Sequence, residues 1–200
     1  MPSSKKTFKP NKKIVVNDKM QQDYVYELSQ SYGKNLGDIM KKALKPSRML
    51  ELGVFSGKYL NDCKDEFPAE WFKRAKKKLS RQGDDNLNCF KVKSGQSLKI
   101  WREKGWVIGP DVRGWFQWWC RYYIGRRIKD VDEKQIKRWE SFNRHAAQVI
   151  KSAKREGRVG DPSFRTKQRQ ALLQWAYDPY PDVLDEGNNE LKNKCVLEKE

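Results

Sequence analysis

The sequence predicts a mainly α fold: a single compact helical domain with an aromatic-rich core and at most a short strand pair near residues 89–108. Three observations carry this. Apolar residues recur at spacings of three and four over several stretches, the signature of one-sided helices. Only 37% of residues are apolar, yet 12% of all residues are Phe, Trp or Tyr, so rings must supply much of the core, each burying roughly 150–250 Å². A chain of 200 residues also suits one domain that fills a core without covalent staples.

The elements follow in chain order. Residues 1–17 read as a basic flexible arm, with Lys5, Lys6, Lys9, Lys12 and Lys13 set among Ser, Pro and Asn. From Asp18 to Leu44, the run Met20, Tyr24, Leu28, Tyr32, Leu36, Met40 and Leu44 predicts a helix, divided near Gly33 and Gly37. Pro46 stops it, and Ser47 caps a short helix through Met49 and Leu50. Gly53 and Gly57 bracket a tight turn. Pro68 opens a helix through Trp71 that ends in lysines and arginine, a charge suited to a helix C-terminus. Residues 83–97 are loop, with a short strand at Cys89–Val92.

The C-terminal half is more regular. Asp111 is placed as the cap of a helix carrying Trp115, Phe116, Trp118, Trp119, Tyr122, Tyr123 and Ile124, apolar all round and hence buried. Asp130 or Asp132 caps an amphipathic helix over 133–155, whose stripe is Ile136, Trp139, Phe142, Ala146, Val149, Ile150 and Ala153. A loop at Gly157–Pro162 leads to a last helix from Thr166 to Tyr177. Residues 18–177 thus form the basic helical domain, and 178–200 an acidic loose tail with seven acids against three lysines.

Charge bears most directly on function. Forty-three Lys and Arg face 26 acids, for a net charge of +17 and a pI near 9.7. Such an excess repels itself unless a polyanion offsets it, and it steers the chain toward phosphate-rich partners. The acidic tail, of opposite sign, is expected to compete for the basic face. The cysteines at 63, 89, 120 and 195 have no metal-ligand spacing and His145 is the lone histidine, which argues against structural zinc. They read as reduced thiols, pointing to an intracellular location in nucleus, cytoplasm or virion. No apolar run approaches the ~20 residues of a membrane span, no signal-type segment opens the chain, and no cofactor motif is found.

Four stretches, GVFSGKYLNDCKDEFPAEWF (53–72), GPDVRGWFQWWCRYYIGRR (109–127), QIKRWESFNRH (135–145) and RTKQRQALLQWAYD (165–178), together resemble a family of hypothetical proteins from bacteria, fungi, plants and some large DNA viruses. The resemblance covers roughly residues 46–178. It implies no activity and gives no residue a catalytic role.

The expected function is nucleic-acid binding, largely backbone-directed, with DNA slightly favoured over RNA. The candidate contacts are Arg113, Arg121, Arg126, Arg127, Lys134, Lys137, Arg138, Arg144, Lys151, Arg155, Arg165, Lys167 and Arg169, whose side chains suit phosphate. Between Lys99 and Arg127, rings interleave with arginines in the manner of single-strand binders, although helical spacing assigns most of those rings to the core. Two other readings stay open. The basic surface suits an acidic protein partner within a larger, possibly viral or nucleoprotein, assembly. Alternatively Glu51, Asp62, Asp65 and Glu66 near Lys58 supply the acids of a metal-dependent nuclease. GVFSGK (53–58) lacks the Ser or Thr that a phosphate loop needs after its lysine, and His145 beside Arg144 names no reaction by itself. Neither catalytic nor metal-binding residues are assigned, and oligomeric state is not legible.

Overall fold

The computed structural model describes residues 7–183. It is mainly α, with a single two-stranded antiparallel sheet among the described residues. The order is β1 (Lys13–Val16), β2 (Tyr24–Glu27), α1 (Gly37–Met40), α2 (Pro46–Leu52), α3 (Ala69–Arg74), α4 (Leu98–Glu103), α5 (Trp115–Ile124), α6 (Lys129–Ser141), α7 (Asn143–Arg155) and α8 (Thr166–Gln174). Short 3₁₀ turns fill the stretch between α2 and α4. No helix among these residues is long and apolar enough to cross a membrane.

The core is built around α5, all ten residues of which are buried. An indole cannot be buried with its N–H idle, and the placement of partners ties the other elements to this helix. Trp115 Nε1 donates to Gln135 O at 3.2 Å and Trp118 Nε1 to Asp132 Oδ1 at 2.8 Å, which fastens α6. Trp119 Nε1 donates to Leu44 O at 2.9 Å, which fastens the approach to α2. Asp132 Oδ2 also accepts the Ile128 N–H at 2.8 Å, so the expected acid does hold the start of α6, from inside its first turn. Gly125 ends α5 in the left-handed region (φ 120°). Its carbonyl accepts the N–H groups of Ser29 and Gln30 at 2.9 and 3.0 Å, and this joins the N-terminal hairpin to the core.

The strand pair is not near 89–108. It lies at β1 and β2, in register Lys13↔Glu27 to Val16↔Tyr24, while 98–103 is helical. Residues 18–44 form no long helix. The four-residue spacing that suggested one is also a multiple of two, so Tyr24 and Leu28 share a face in extended chain as well. The intervening residues decide it: Tyr26 is buried while Val25 and Glu27 are exposed, an alternation of period two. Likewise Ile14 and Val16 are buried and Val15 is exposed, so the end of the expected arm belongs to the fold. Residues 1–6 of that arm lie outside the described residues.

Asp111 caps nothing; Gly114 occupies the N-cap of α5 and Asp111 is fully buried. The expected helix over 133–155 begins earlier and is interrupted at Phe142. That ring stacks on Trp175 at 4.9 Å and 13°. The last helix stops at Gln174, since Ala176 has φ 59°. Nor is the chain loose from 178: Tyr180 and Asp182 are buried, and residues 184–200, with most of the expected tail, lie outside the described residues. Cys63 and Cys120 are buried free thiols, but Cys89 is disulfide-bonded, against the expectation of reduced thiols throughout; Cys195 lies outside the described residues.

Candidate functional site

Four of the arginines expected to meet a polyanion are inside the protein. Arg113 gives Nη2 to Asp18 Oδ1 at 2.8 Å and to Asp62 Oδ2 at 2.7 Å. Arg121 spans Glu66 (Nη2–Oε2 3.0 Å) and Asp111 (Nη1–Oδ1 3.2 Å). Arg126 takes the other oxygen of Asp111 at 2.6 Å. Tyr26 adds its hydroxyl to Glu66 Oε1 at 2.8 Å, and the Arg121 guanidinium lies over the Tyr24 and Tyr26 rings. Arg169 is held apart from this network by Asp182, with Nη1 and Nη2 each 2.8 Å from one carboxylate oxygen. Buried charges persist only when paired and hydrogen-bonded. These four arginines, hence, organise the core and are not at the surface.

Burial raises the Asp18 carboxyl, but the Arg113 hydrogen bonds and charge together with the Met20 and Gln21 N–H groups outweigh it and hold the group below the ordinary carboxylate range. Asp182 behaves in the same way, with Arg169 and the Gly160 N–H outweighing burial. Arg127 is half-buried for another reason. It donates to the carbonyls of Tyr122, Arg126, Lys34 and Asn35 and stacks on Tyr122 at 3.6 Å. Arg165 is half-buried on Phe164, with Nη1 on Gln168.

The remaining candidates are at the surface. Lys134 and Lys137 are exposed on α6, Arg144, Lys151 and Arg155 on α7, and Lys167 in the first turn of α8. Arg155 meets only its neighbour Glu156, in an exposed pair of small value. Neither α7 nor α8 contains an acidic residue, and the two helices pack together through Ala146, Val149 and Leu172. On α7, Arg144, Gln148, Lys151 and Arg155 fall at helical spacing and form one stripe.

That stripe borders a cleft of about 420 Å³. Phe55, Trp115 and Phe116 line it from the core, Trp101 and Trp106 from α4 and the loop after it, and Phe142 and Trp175 from the helical hairpin side. Polar groups reach it from His145, Gln148, Lys167, Gln168 and Arg138, and no carboxylate among the described residues lines it. Phe55 is placed by a turn of unusual backbone: Phe55 and Ser56 have φ 51° and 56°, a conformation costly for such residues. The turn is held because Phe55 N–H donates to Gln174 Oε1 at 3.2 Å and Ser56 N–H to Asn88 Oδ1 at 2.8 Å. Gln174 Nε2 in turn donates to Ser94 O at 3.1 Å. One α8 side chain thereby positions two walls of the cleft.

Arg138 is the unusual member. Its Nη1 donates to Trp106 O and Gln135 Oε1, both at 2.9 Å, and its guanidinium lies 5.5 Å from the Trp175 ring centroid. Among the described residues no carboxylate pairs with it, and Nε and Nη2 have no hydrogen-bond partner. Burial pulls its pKa down, as expected for a desolvated cation without a counter-ion. Beside the cleft, burial and then the Arg144 charge lower the pKa of His145.

Of the expected contacts, Arg138 and Lys167 line the cleft, as do Trp101, Trp106 and Trp115 of the 99–127 segment. Trp118, Trp119, Tyr122 and Tyr123 are core. Sequence reading missed Phe55, Phe142 and Trp175 as cleft walls, because they are far apart in the chain and each also reads as an ordinary core residue. The acids at 51–66 do not converge on open space. Glu51 pairs with Arg48, and Asp62 and Glu66 are engaged by Arg113 and Arg121. Asp18, Cys63 and Glu66 bring ligand atoms within 4.8 Å of one another, but both carboxylates already hold arginines and burial raises the Cys63 thiol pKa; the group is an ion-pair cluster. No protein-family model, curated protein or solved structure matches the chain.

Proposed function

We propose that the protein binds nucleic acid, chiefly through the phosphate backbone, on the surface formed by α7 and the start of α8, with Lys134 and Lys137 of α6 added to it. The observation that carries this reading is the acid-free α7–α8 pair, whose outward cations, apart from Arg155 in its exposed pair with Glu156, have no carboxylate partner among the described residues, while the buried arginines do. Evenly mixed surface charge would be mere solvation; a single-sign stripe along a helix is an electrostatic footprint for a polyanion. The contact set is accordingly Lys134, Lys137, Arg144, Lys151, Arg155 and Lys167, with Arg138 at the cleft. Counterion release from the bound strand supplies the affinity.

The test is binding of the full chain to labelled duplex DNA, single-stranded DNA and RNA over a salt series, with Mg²⁺ present and the probe checked for cleavage. Affinity that falls steeply with salt, over an intact probe, supports the reading. Weak binding near physiological salt overturns it and moves the charge to an acidic protein partner; cleavage moves it to an enzyme.

A further inference from the structure

We infer that the aromatic cleft is a receptor for one unpaired nucleobase, taken from a strand whose phosphates lie on the α7 stripe; this rests on the nucleic-acid reading above and adds a base-recognition element to it. Three features of the cleft point to this occupant. Its walls are rings from separate elements, with Trp106 still 41% exposed and available as a lid for a planar guest. A cleft of about 420 Å³ is in the range of small-ligand sites. Its polar groups include free donors: Lys167 and the amides of Gln96 and Gln148, which can accept as well, side chains that make no hydrogen bonds among the described residues, and above all Arg138.

Arg138 makes the choice of ligand chemical. Its Nη1 is spent on Trp106 O and Gln135 Oε1, while Nε and Nη2 together form the guanidinium edge that takes two adjacent acceptors. Solvent still reaches Nε and Nη2, so both are open to an acceptor from outside, and no carboxylate among the described residues competes for them. A nucleotide offers both halves of the match, a π-face for the rings and an acceptor edge or phosphate for the fork. An apolar peptide side chain would fill the walls but leave the fork unmet. Gln148, an exposed member of the Arg144–Gln148–Lys151–Arg155 stripe, also lines the cleft, so a strand tracking α7 runs beside it. A base in an intact duplex cannot enter, so the site selects single strands, ends or flipped bases.

The experiment measures fluorescence anisotropy of the full chain with a labelled single-stranded 12-mer, an abasic strand of equal length, and a duplex, each at fixed salt. It is repeated with Trp106→Ala and Trp106→Phe after thermal melts show both folded. The expected result is a preference of about fivefold to a hundredfold for the base-bearing over the abasic strand. Trp106→Ala should shrink that ratio and Trp106→Phe should keep most of it. A nucleoside monophosphate that competes only for the base-dependent part would identify a free nucleotide as an equal source of the ring. Equal binding of base-bearing and abasic strands, with a steep salt dependence, overturns the cleft assignment and leaves backbone binding standing. Failure of every probe to bind overturns both. A ratio unchanged by Trp106→Ala overturns the placement of the base in this cleft.

Discussion

Asp182 accepts both terminal nitrogens of Arg169 at 2.8 Å, with both side chains fully buried. Arg169 also donates to Phe164 O and Pro179 O, and Asp182 accepts the Gly160 N–H at 2.8 Å. The pair therefore clamps the 160–164 loop and the 179–182 segment onto α8, the helix whose Gln174 holds the cleft walls.

Removing one member of such a pair leaves an uncompensated buried charge. Arg169→Ala and Asp182→Ala are each expected to lower unfolding free energy by ~3–5 kcal/mol. The combined Arg169→Ala/Asp182→Ala variant should lose less than the sum of the two. Urea denaturation of the singles and the double in one cycle checks this, and additive losses would contradict a coupled pair.

The depressed carboxyls of Asp18 and Asp182 make stability fall in acid. Their folded pKa values lie below the unfolded reference of about 3.9, so their contribution is complete above that value. It is lost as pH falls through the folded values. Denaturation midpoints measured across pH 2–6 (about the span that brackets both states) should drop most steeply below about 4. Asp182→Asn should flatten part of that drop, and an unchanged profile would remove Asp182 from the account.

Gly125 has φ 120°, and a Cβ there would lie 2.0 Å from Gln30 O. Gly125→Ala must either break the docking of residues 29–30 or unwind the end of α5. It should cost more than ~1 kcal/mol, seen as a lowered thermal midpoint. Gly157→Ala is the control, with a positive φ but nothing within 4 Å of the added carbon, and should cost less.

For nucleic-acid binding, Arg144→Gln, Lys151→Gln and Lys167→Gln should each reduce the slope of log affinity against log salt by about 0.7–0.9. Weakening without a change in slope would mean that these side chains do not meet phosphate.

Burial and then the Arg144 charge hold the His145 pKa below the ordinary imidazole value of about 6.5, which favours the neutral ring at pH 7. Acidification adds a positive charge at the cleft, so affinity for a single strand should rise as pH falls below that value. His145→Gln should remove the rise. A pH-independent affinity in the wild-type chain would show that His145 does not feel the ligand.

Helix content, an aromatic core and a large positive charge were legible in the sequence because each is additive over local residues. The heptad-like stripe of α6 and α7 and the all-round apolar α5 needed only periodicity. Two readings failed for a shared reason. The 18–44 segment satisfied both a helical and a strand period, and only packing of Tyr26 and Leu28 against α5 and its flanks resolved it. Four arginines of the expected list proved to be core because a guanidinium reads the same whether phosphate or carboxylate will meet it. Asp18, Glu66, Asp111 and Asp182 lie from 10 to 95 residues away from the arginines they neutralise. Which cations remain for a ligand, and which rings face a cleft instead of one another, are properties of distance in space. Composition sets how much charge and ring the chain carries; tertiary pairing alone decides which of it is left unspent.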